Sequence, residues 1–239
     1  MIEGEGGVLY MPDLGSDRVW VVKREGTSGL KIHGYLQAPP GAGPRHAVLS
    51  LDGANDPLPF ERRELTAGKH LYCLTELHST ILAWTLPYDA SSAHPLPDFE
   101  ASIIPPSVPK SHSAKMDSAE LCIHPNYPRT LFASNRLELQ IFDKQPDLPK
   151  LPDYPPTGDA IAIFTLSDDG TKVVGTKHVR TGCDNVRGML VSPDGKFVAL
   201  AGQDGGGVEI WSVGGEKGDE WKLAAKEEGI EGVTTIVWI

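Results

Sequence analysis

Basic charge is what this sequence lacks first. Its 239 residues carry 22 Lys and Arg against 32 Asp and Glu, a formal net charge of −10. A phosphate backbone is bound by surplus cations, so nucleic acid is not an expected partner. Long apolar runs are missing too. None reaches the roughly 18 residues that span a bilayer, so a membrane is not expected either. The opening residues, Met1-Ile2-Glu3-Gly4-Glu5, are acidic and lack the basic and apolar regions of a signal peptide; a cytoplasmic location is the expectation. Cysteine is scarce. Cys73, Cys122 and Cys183 are far apart and form no CxxC, which suggests neither a disulfide framework nor a zinc site. Buried inert thiols are the expectation. The histidines, among them His78, His94, His112, His124 and His178, show no metal-ligand spacing, so neither a metal nor a cofactor is expected. Helical periodicity is nearly absent.

What is present is a repeat. Short β-branched and aromatic runs are bounded by Gly, Pro, Asp and Asn, the mark of many short strands. Aromatic anchors fall at Tyr10, Tyr72, Phe132 and Phe197, which are 62, 60 and 65 residues apart by subtraction. Each opens a strand that pairs back on a partner: Arg18 to Val22, Ile81 to Trp84, Leu139 to Phe142 and Val208 to Trp211. A strand running into a turn precedes three of the anchors. Its copies run from Arg45 to Gly53, from Ala119 to Asn126 and from Arg187 to Gly195. Ala160 to Leu166 reads as a further strand. Repeats of three or four strands fit the blades of a β-propeller. The expected fold is therefore all-β, with about four blades in one domain over 1–239. The first blade shows little beyond its Tyr10 to Val22 hairpin. The terminal residues Val233 to Ile239 read as one more strand. Residues 87–116 and 143–159 are Pro-rich and are expected to be connections, because proline cannot donate to a ladder. Residues 55–69 are polar and read as an insertion.

The repeat also carries charge at a fixed place. Glu76 follows Tyr72 by four residues, and Arg136 follows Phe132 by four. If the units are equivalent, these two side chains sit at matching places in adjacent blades. They then form either a structural ion pair or part of a site. Arg45 opens the preceding strand, where it either braces the turn after Gly43-Pro44 or faces the same site. Arg187 holds Arg45's place in a later unit. His46 alternates with Arg45 along an extended segment and is expected on the opposite face, in the core or behind the site. Asp13 and Asp17 flank Gly15 and read as turn residues.

The ordered set of motifs resembles the seven-bladed lactonase family, which comprises the propeller-type 6-phosphogluconolactonases and the fungal carboxy-cis,cis-muconate cyclases. The matching segments are Pro12-Asp13-Leu14-Gly15-Ser16-Asp17-Arg18, Gly43-Pro44-Arg45-His46, Thr75-Glu76-Leu77 and Ser134-Asn135-Arg136. Arg180-Thr181-Gly182, Val186-Arg187-Gly188-Met189, Gly205-Gly206-Gly207-Val208 and Val237-Trp238 follow. They look more like the fungal cyclase branch, and the match is to the family's C-terminal four blades. Three further blades and a histidine upstream of Asp13 belong to the family pattern; no histidine precedes Asp13 here.

The resemblance implies a cyclase-like lactonizing isomerase acting on a small polyanionic carboxylate, or a lactone hydrolase of the 6-phosphogluconolactonase type. Guanidinium groups suit such ligands because they fork onto carboxylates and phosphates and stay charged. An enolate-like intermediate needs fixed positive donors, and one proton must be moved. The implied catalytic residues are Arg45, Arg136 and Glu76, with Arg45 also binding substrate and Glu76 moving the proton or orienting an arginine; Arg187, from its repeat position, is expected to bind substrate beside Arg45. The rival reading is an inactive propeller fragment or interaction scaffold, which would self-associate through exposed blade edges.

Overall fold

The computed structural model describes residues 1–26, 29–50, 69–86, 97–144 and 157–239. They form four antiparallel sheets of four strands, each a meander in chain order. The first holds β1 (Ile2–Glu3), β2 (Val8–Asp13), β3 (Arg18–Glu25) and β4 (Gly29–Gln37). The second holds β5 (Pro44–Leu49), β6 (His70–Thr75), β7 (Thr80–Thr85) and β8 (Phe99–Ser102). The third holds β9 (Asp117–Ile123), β10 (Thr130–Arg136), β11 (Ala160–Leu166) and β12 (Val173–Arg180). The fourth holds β13 (Asp184–Val191), β14 (Phe197–Gly205), β15 (Val208–Gly214) and β16 (Glu220–Glu227). Two short helices, α1 (Lys110–Ser113) and α2 (Glu138–Lys144), interrupt the connections. This is the all-β propeller architecture that the repeat implies.

Sequence alternation builds the stack. Side chains on a strand point to opposite faces in turn, so a strand covered on both faces reads as one apolar run. Every residue of β6 is buried. Its Leu71 and Cys73 pack with Tyr10, Val19, Val21 and Leu36 of the first sheet. Its Tyr72 and Leu74 face the other way, onto Leu121, Leu131, Ala133 and Phe164 of the third. Phe132, Ile161 and Ile163 then meet Val186, Met189, Val198 and Leu200 of the fourth. Cys73 and Cys183 are buried within these layers and Cys122 is partly so; burial pushes each thiol up to about 12, in keeping with inert core cysteines.

Neighbouring sheets touch through their first two strands: β1 and β2 on β5, β5 and β6 on β9, β9 and β10 on β13. Among the described residues no comparable strand contact joins the fourth sheet to the first. The sheets form an open arc.

Several expectations need correction. Residues 139–142 do not form the return strand of the third hairpin. They lie in α2, and β10 pairs instead with β11, placing Leu131 opposite Phe164. The segment Leu139 to Phe142, apolar but for Gln140, is too short to tell strand from helix by pattern. The fourth anchor is also displaced. Leu71 lies opposite Trp84, Leu131 opposite Phe164 and Val198 opposite Trp211, so Ala199, not Phe197, is equivalent to Tyr72 and Phe132. The first unit is a full sheet rather than a lone hairpin. Residues 87–116 are not merely a connection, since they supply β8 and α1. Val233 to Ile239 forms no strand. It lies beside β13 instead, where the Trp238 indole N–H donates to the Leu190 carbonyl at 3.3 Å. Most of 55–69, and 145–156 of the second Pro-rich stretch, lie outside the described residues.

Candidate functional site

The charged residues gather where the second, third and fourth sheets meet at their inner strands. Glu76 leaves the end of β6. Its backbone N–H donates to the Gly43 carbonyl at 2.8 Å, and its own carbonyl accepts from Ser118 N–H at 3.2 Å. That residue is thereby tied to the second and third sheets at once. Gly43 has φ of +66°, and a Cβ there would lie 3.1 Å from Leu77, so the turn into Pro44-Arg45 requires glycine. Asp17 accepts from Gly41 and Gly43 N–H at 2.7 and 2.9 Å and fixes the same turn to the first sheet. Asp13 accepts from Gly15 N–H, the Ser16 hydroxyl and the Trp20 indole. Both aspartates are structural, in agreement with their turn signature.

Glu76 bridges two arginines. Its Oε2 accepts from Arg45 Nη1 at 2.5 Å, and its Oε1 accepts from Arg136 Nη1 at 2.8 Å. All three side chains are mostly withdrawn from solvent, at 19%, 13% and 12% exposure for Arg45, Glu76 and Arg136. Second bonds fix each guanidinium. Arg45 Nε donates to the Ala119 carbonyl at 2.9 Å, and Arg136 Nε donates to Asn185 Oδ1 at 2.7 Å. Among the described residues neither Nη2 has a hydrogen-bond partner. Two cations therefore share one carboxylate and each keeps a donor for a ligand.

Arg187 does not join Glu76. Its Nη1 donates to Gln203 Oε1 at 3.0 Å, at the inner end of the fourth sheet. Asn185 adopts φ of +57°, the left-handed conformation that asparagine tolerates better than most non-glycine residues. It spans from Arg136 to Asp204 Oδ2, to which its Nδ2 donates at 2.8 Å. Buried Asp159 holds the backbone around both residues. Its Oδ1 accepts from Glu138 N–H at 2.8 Å and its Oδ2 from Val186 N–H at 3.2 Å.

Glu120 on β9 completes the cluster. Burial raises its carboxyl to about 7, against the opposing pull of the Arg45 and Arg187 guanidiniums. Burial also raises Asp117, where Arg136 pulls down and Glu76 pushes up. His46 lies 3.6 Å from Glu120 through Nε2 and its side chain is 45% exposed, so it borders the site rather than sitting in the core. A register shift between Pro44 and His46 breaks the simple alternation of β5 there.

Glu76, Arg136 and Arg45 are thus brought together as the sequence suggests, and Arg187 lies nearby with a partner of its own. Glu120, Asn185 and Gln203 are the polar residues that sequence reasoning missed. A signal existed for Gln203: with Ala199 as the anchor, it falls four residues on, the place held by Glu76 and Arg136.

A propeller arc with an arginine–carboxylate cluster at the junction of its blades is the class that this fold and site define. The chain belongs to the lactonase family of seven-bladed β-propellers, whose model ("Lactonase, 7-bladed beta-propeller") matches residues 1–237. Its sequence is 24% identical over 238 residues to a protein of Arthroderma benhamiae named "Probable 6-phosphogluconolactonase", covering 100% of this chain and 52% of that one. It is 25% identical over 225 residues to the 6-phosphogluconolactonase of Pectobacterium carotovorum, covering 93% of this chain and 55% of that one. The chain spans about half the length of these curated relatives. Among solved structures, a protein from Lactobacillus plantarum aligns with a TM-score of 0.72 at 18% identity, over 98% of this chain and 56% of that one. The periplasmic gluconolactonase of Pseudomonas aeruginosa aligns with a TM-score of 0.66 at 17% identity, over 98% and 53%. At such identities the structural likeness speaks to the fold alone.

Proposed function

We propose that this chain acts as a lactone hydrolase of the 6-phosphogluconolactonase type, taking a small lactone that carries an anionic group. The observation that carries this reading is the Glu76 carboxylate held between Arg45 and Arg136, with a donor left on each guanidinium. Family membership and the names of its relatives favour the hydrolase over the muconate cycloisomerase that the motifs resemble more.

Opening a lactone needs three things. The ring must be held, the oxyanion formed at its carbonyl must be stabilised, and attacking water must lose a proton. Arg45 and Arg136 stabilise the oxyanion, and Arg187 holds the anionic substituent. Glu76 has a cation on each oxygen, which suits a carboxylate that orients both arginines. The proton acceptor is then Glu120, beside Arg45, whose carboxyl ionises near neutral pH. Water adds to the carbonyl carbon, its proton passes to Glu120, and the ring C–O bond breaks. The leaving oxygen takes the proton back, giving the hydroxy acid.

Hydrolysis of 6-phosphogluconolactone, followed by acid release, tests the reading. Glu76→Gln and Arg136→Ala are each expected to lower kcat/KM by at least about 100-fold, the order seen when a fixed oxyanion donor is lost. Equal turnover by both variants and the parent would remove this site from the reaction. Muconolactone turnover without phosphogluconolactone turnover would favour the cycloisomerase. A parent chain inert to both leaves the scaffold reading.

A further inference from the structure

The second and fourth sheets carry the same pair of positions with different chemistry. In each, an arginine on the first strand bonds the side chain at the end of the second. In the second sheet this is Arg45 with Glu76, at 2.5 Å. In the fourth it is Arg187 with Gln203, at 3.0 Å. The pairing registers make Gln203 the equivalent of Glu76, because Val198 and Leu71 both lie opposite tryptophans, Trp211 and Trp84. Hydrogen-bond geometry is thus kept while the charge differs. Glu76 offers Arg45 an anion; Gln203 offers Arg187 a neutral amide oxygen.

This difference decides what each arginine can do for a ligand. A guanidinium paired with a carboxylate has part of its field cancelled, whereas one held by an amide keeps it. Among the described residues Arg187 makes no ion pair, and the nearby carboxylate that senses it, Glu120, forms no hydrogen bond with it. Arg187 is also positioned without being neutralised, since one of its nitrogens is fixed by Gln203 Oε1. The Gln203 Oε1 also lies 3.5 Å from Asn185 Nδ2, and its Nε2 has no hydrogen-bond partner among the described residues.

We propose that Gln203 is a specificity-determining residue: its uncharged amide holds Arg187 in place as a cation that no described carboxylate bonds, reserving it for the phosphate or carboxylate of the substrate. This rests on the anion-binding reading above and deepens it. Glu76 and Gln203 divide the work. The charged member supports a shared, partly neutralised pair of arginines for the reacting carbonyl, and the neutral member supports a free positive charge for the substituent.

Gln203→Glu is the decisive variant, because it is isosteric and keeps the acceptor for Arg187 while adding the missing charge. Inorganic phosphate serves as the probe, titrated by calorimetry into the purified chain at pH 6.5 and low salt. The parent is expected to bind phosphate, and Gln203→Glu to bind it about tenfold or more weakly, with the difference shrinking at high salt. Arg187→Gln is expected to lose as much. In turnover, Gln203→Glu is expected to raise KM with kcat held within about threefold, the pattern of lost ground-state binding. Equal phosphate affinity in parent and Gln203→Glu overturns the proposal, as does a parent that binds no phosphate. A phosphate effect without hydrolysis of 6-phosphogluconolactone sustains the role of Gln203 and defeats the hydrolase reading. Similar melting temperatures for parent and variant confirm that charge, and not folding, was changed.

Discussion

Glu120 shows how burial sets chemistry in this cluster. An exposed glutamate ionises well below neutral pH, but here burial outweighs two guanidiniums and brings the group to about 7. As a base it works only when deprotonated. Hydrolytic rate is therefore expected to rise with pH through an inflection near 7 and to level off above it. Glu120→Gln is expected to lower kcat by about 100-fold or more and to leave no inflection, as measured by a pH–rate profile. A variant with the parent's profile would take the proton-transfer role away from Glu120. Glu76 lies at the opposite extreme. Both of its oxygens are occupied by cations, and its backbone is held on both sides. Its partner types were legible in the sequence because an acid and a base recurred at one place in two repeats. Glu120 was not legible: Ala119-Glu120-Leu121 reads only as strand, and nothing in it shows that β5 and β13 cover the carboxylate from either side.

The strands and turns transmit this order. The left-handed residues Leu137 and Asn185 follow Arg136 and precede Arg187, and both lie beside backbone N–H groups that Asp159 accepts. One buried carboxylate thus sets the spacing between the end of β10 and the start of β13. Burial is the largest influence on Asp159 and raises it from 3.8 to about 7. The folded state then holds a proton that the unfolded chain has released between those values. Stability from this group is accordingly lost as pH rises from about 4 to about 7. Asp159→Asn removes that dependence. Its melting temperature is expected to gain on the parent's as pH rises from 5 to 8, by calorimetry; a constant difference would show that Asp159 does not titrate in this window. The hairpins were readable from turn residues and β-branched runs. Residues 138–144 were not, because the four residues Leu139 to Phe142 fit a strand as well as a helix and the choice fell to the partner β11.

Across the arc, three apolar layers join four sheets in chain order, and the inner strands carry the charged cluster. Among the described residues no strand contact comparable to those within the stack joins the first sheet to the fourth. Leu30 and Ile32 on β4 and Leu223 on β16 are exposed, and Val237 and Ile239 of the terminal segment are largely so. Outer strands with unpaired backbone groups and exposed apolar side chains favour pairing with another chain. The purified chain is expected to run well above its monomer mass of 25.8 kDa at micromolar concentration in size-exclusion chromatography with light scattering. A single monomeric species with a sharp melting transition would show that the arc is self-sufficient. The net charge of −10 contrasts with the gathering of Arg45, Arg136 and Arg187 at the inner strands, where Glu76 and Glu120 lie beside them.

Pattern alone was enough to establish an all-β chain, its repeat of about 60 residues and the charged residue types of the candidate site, because period-two alternation and turn chemistry are local. It also carried the family. The contacts were decided elsewhere. Arg45 and Glu76 are 31 residues apart, Arg136 and Glu76 are 60 apart, and Arg136 and Asn185 are 49 apart. Their meeting depends on how one sheet stacks on the next. The same stacking withdraws Glu120 from water and places Gln203 where Glu76 stands two sheets earlier. Burial and register are properties of the packed sheets, and these turn a set of charged residue types into distinct chemical roles.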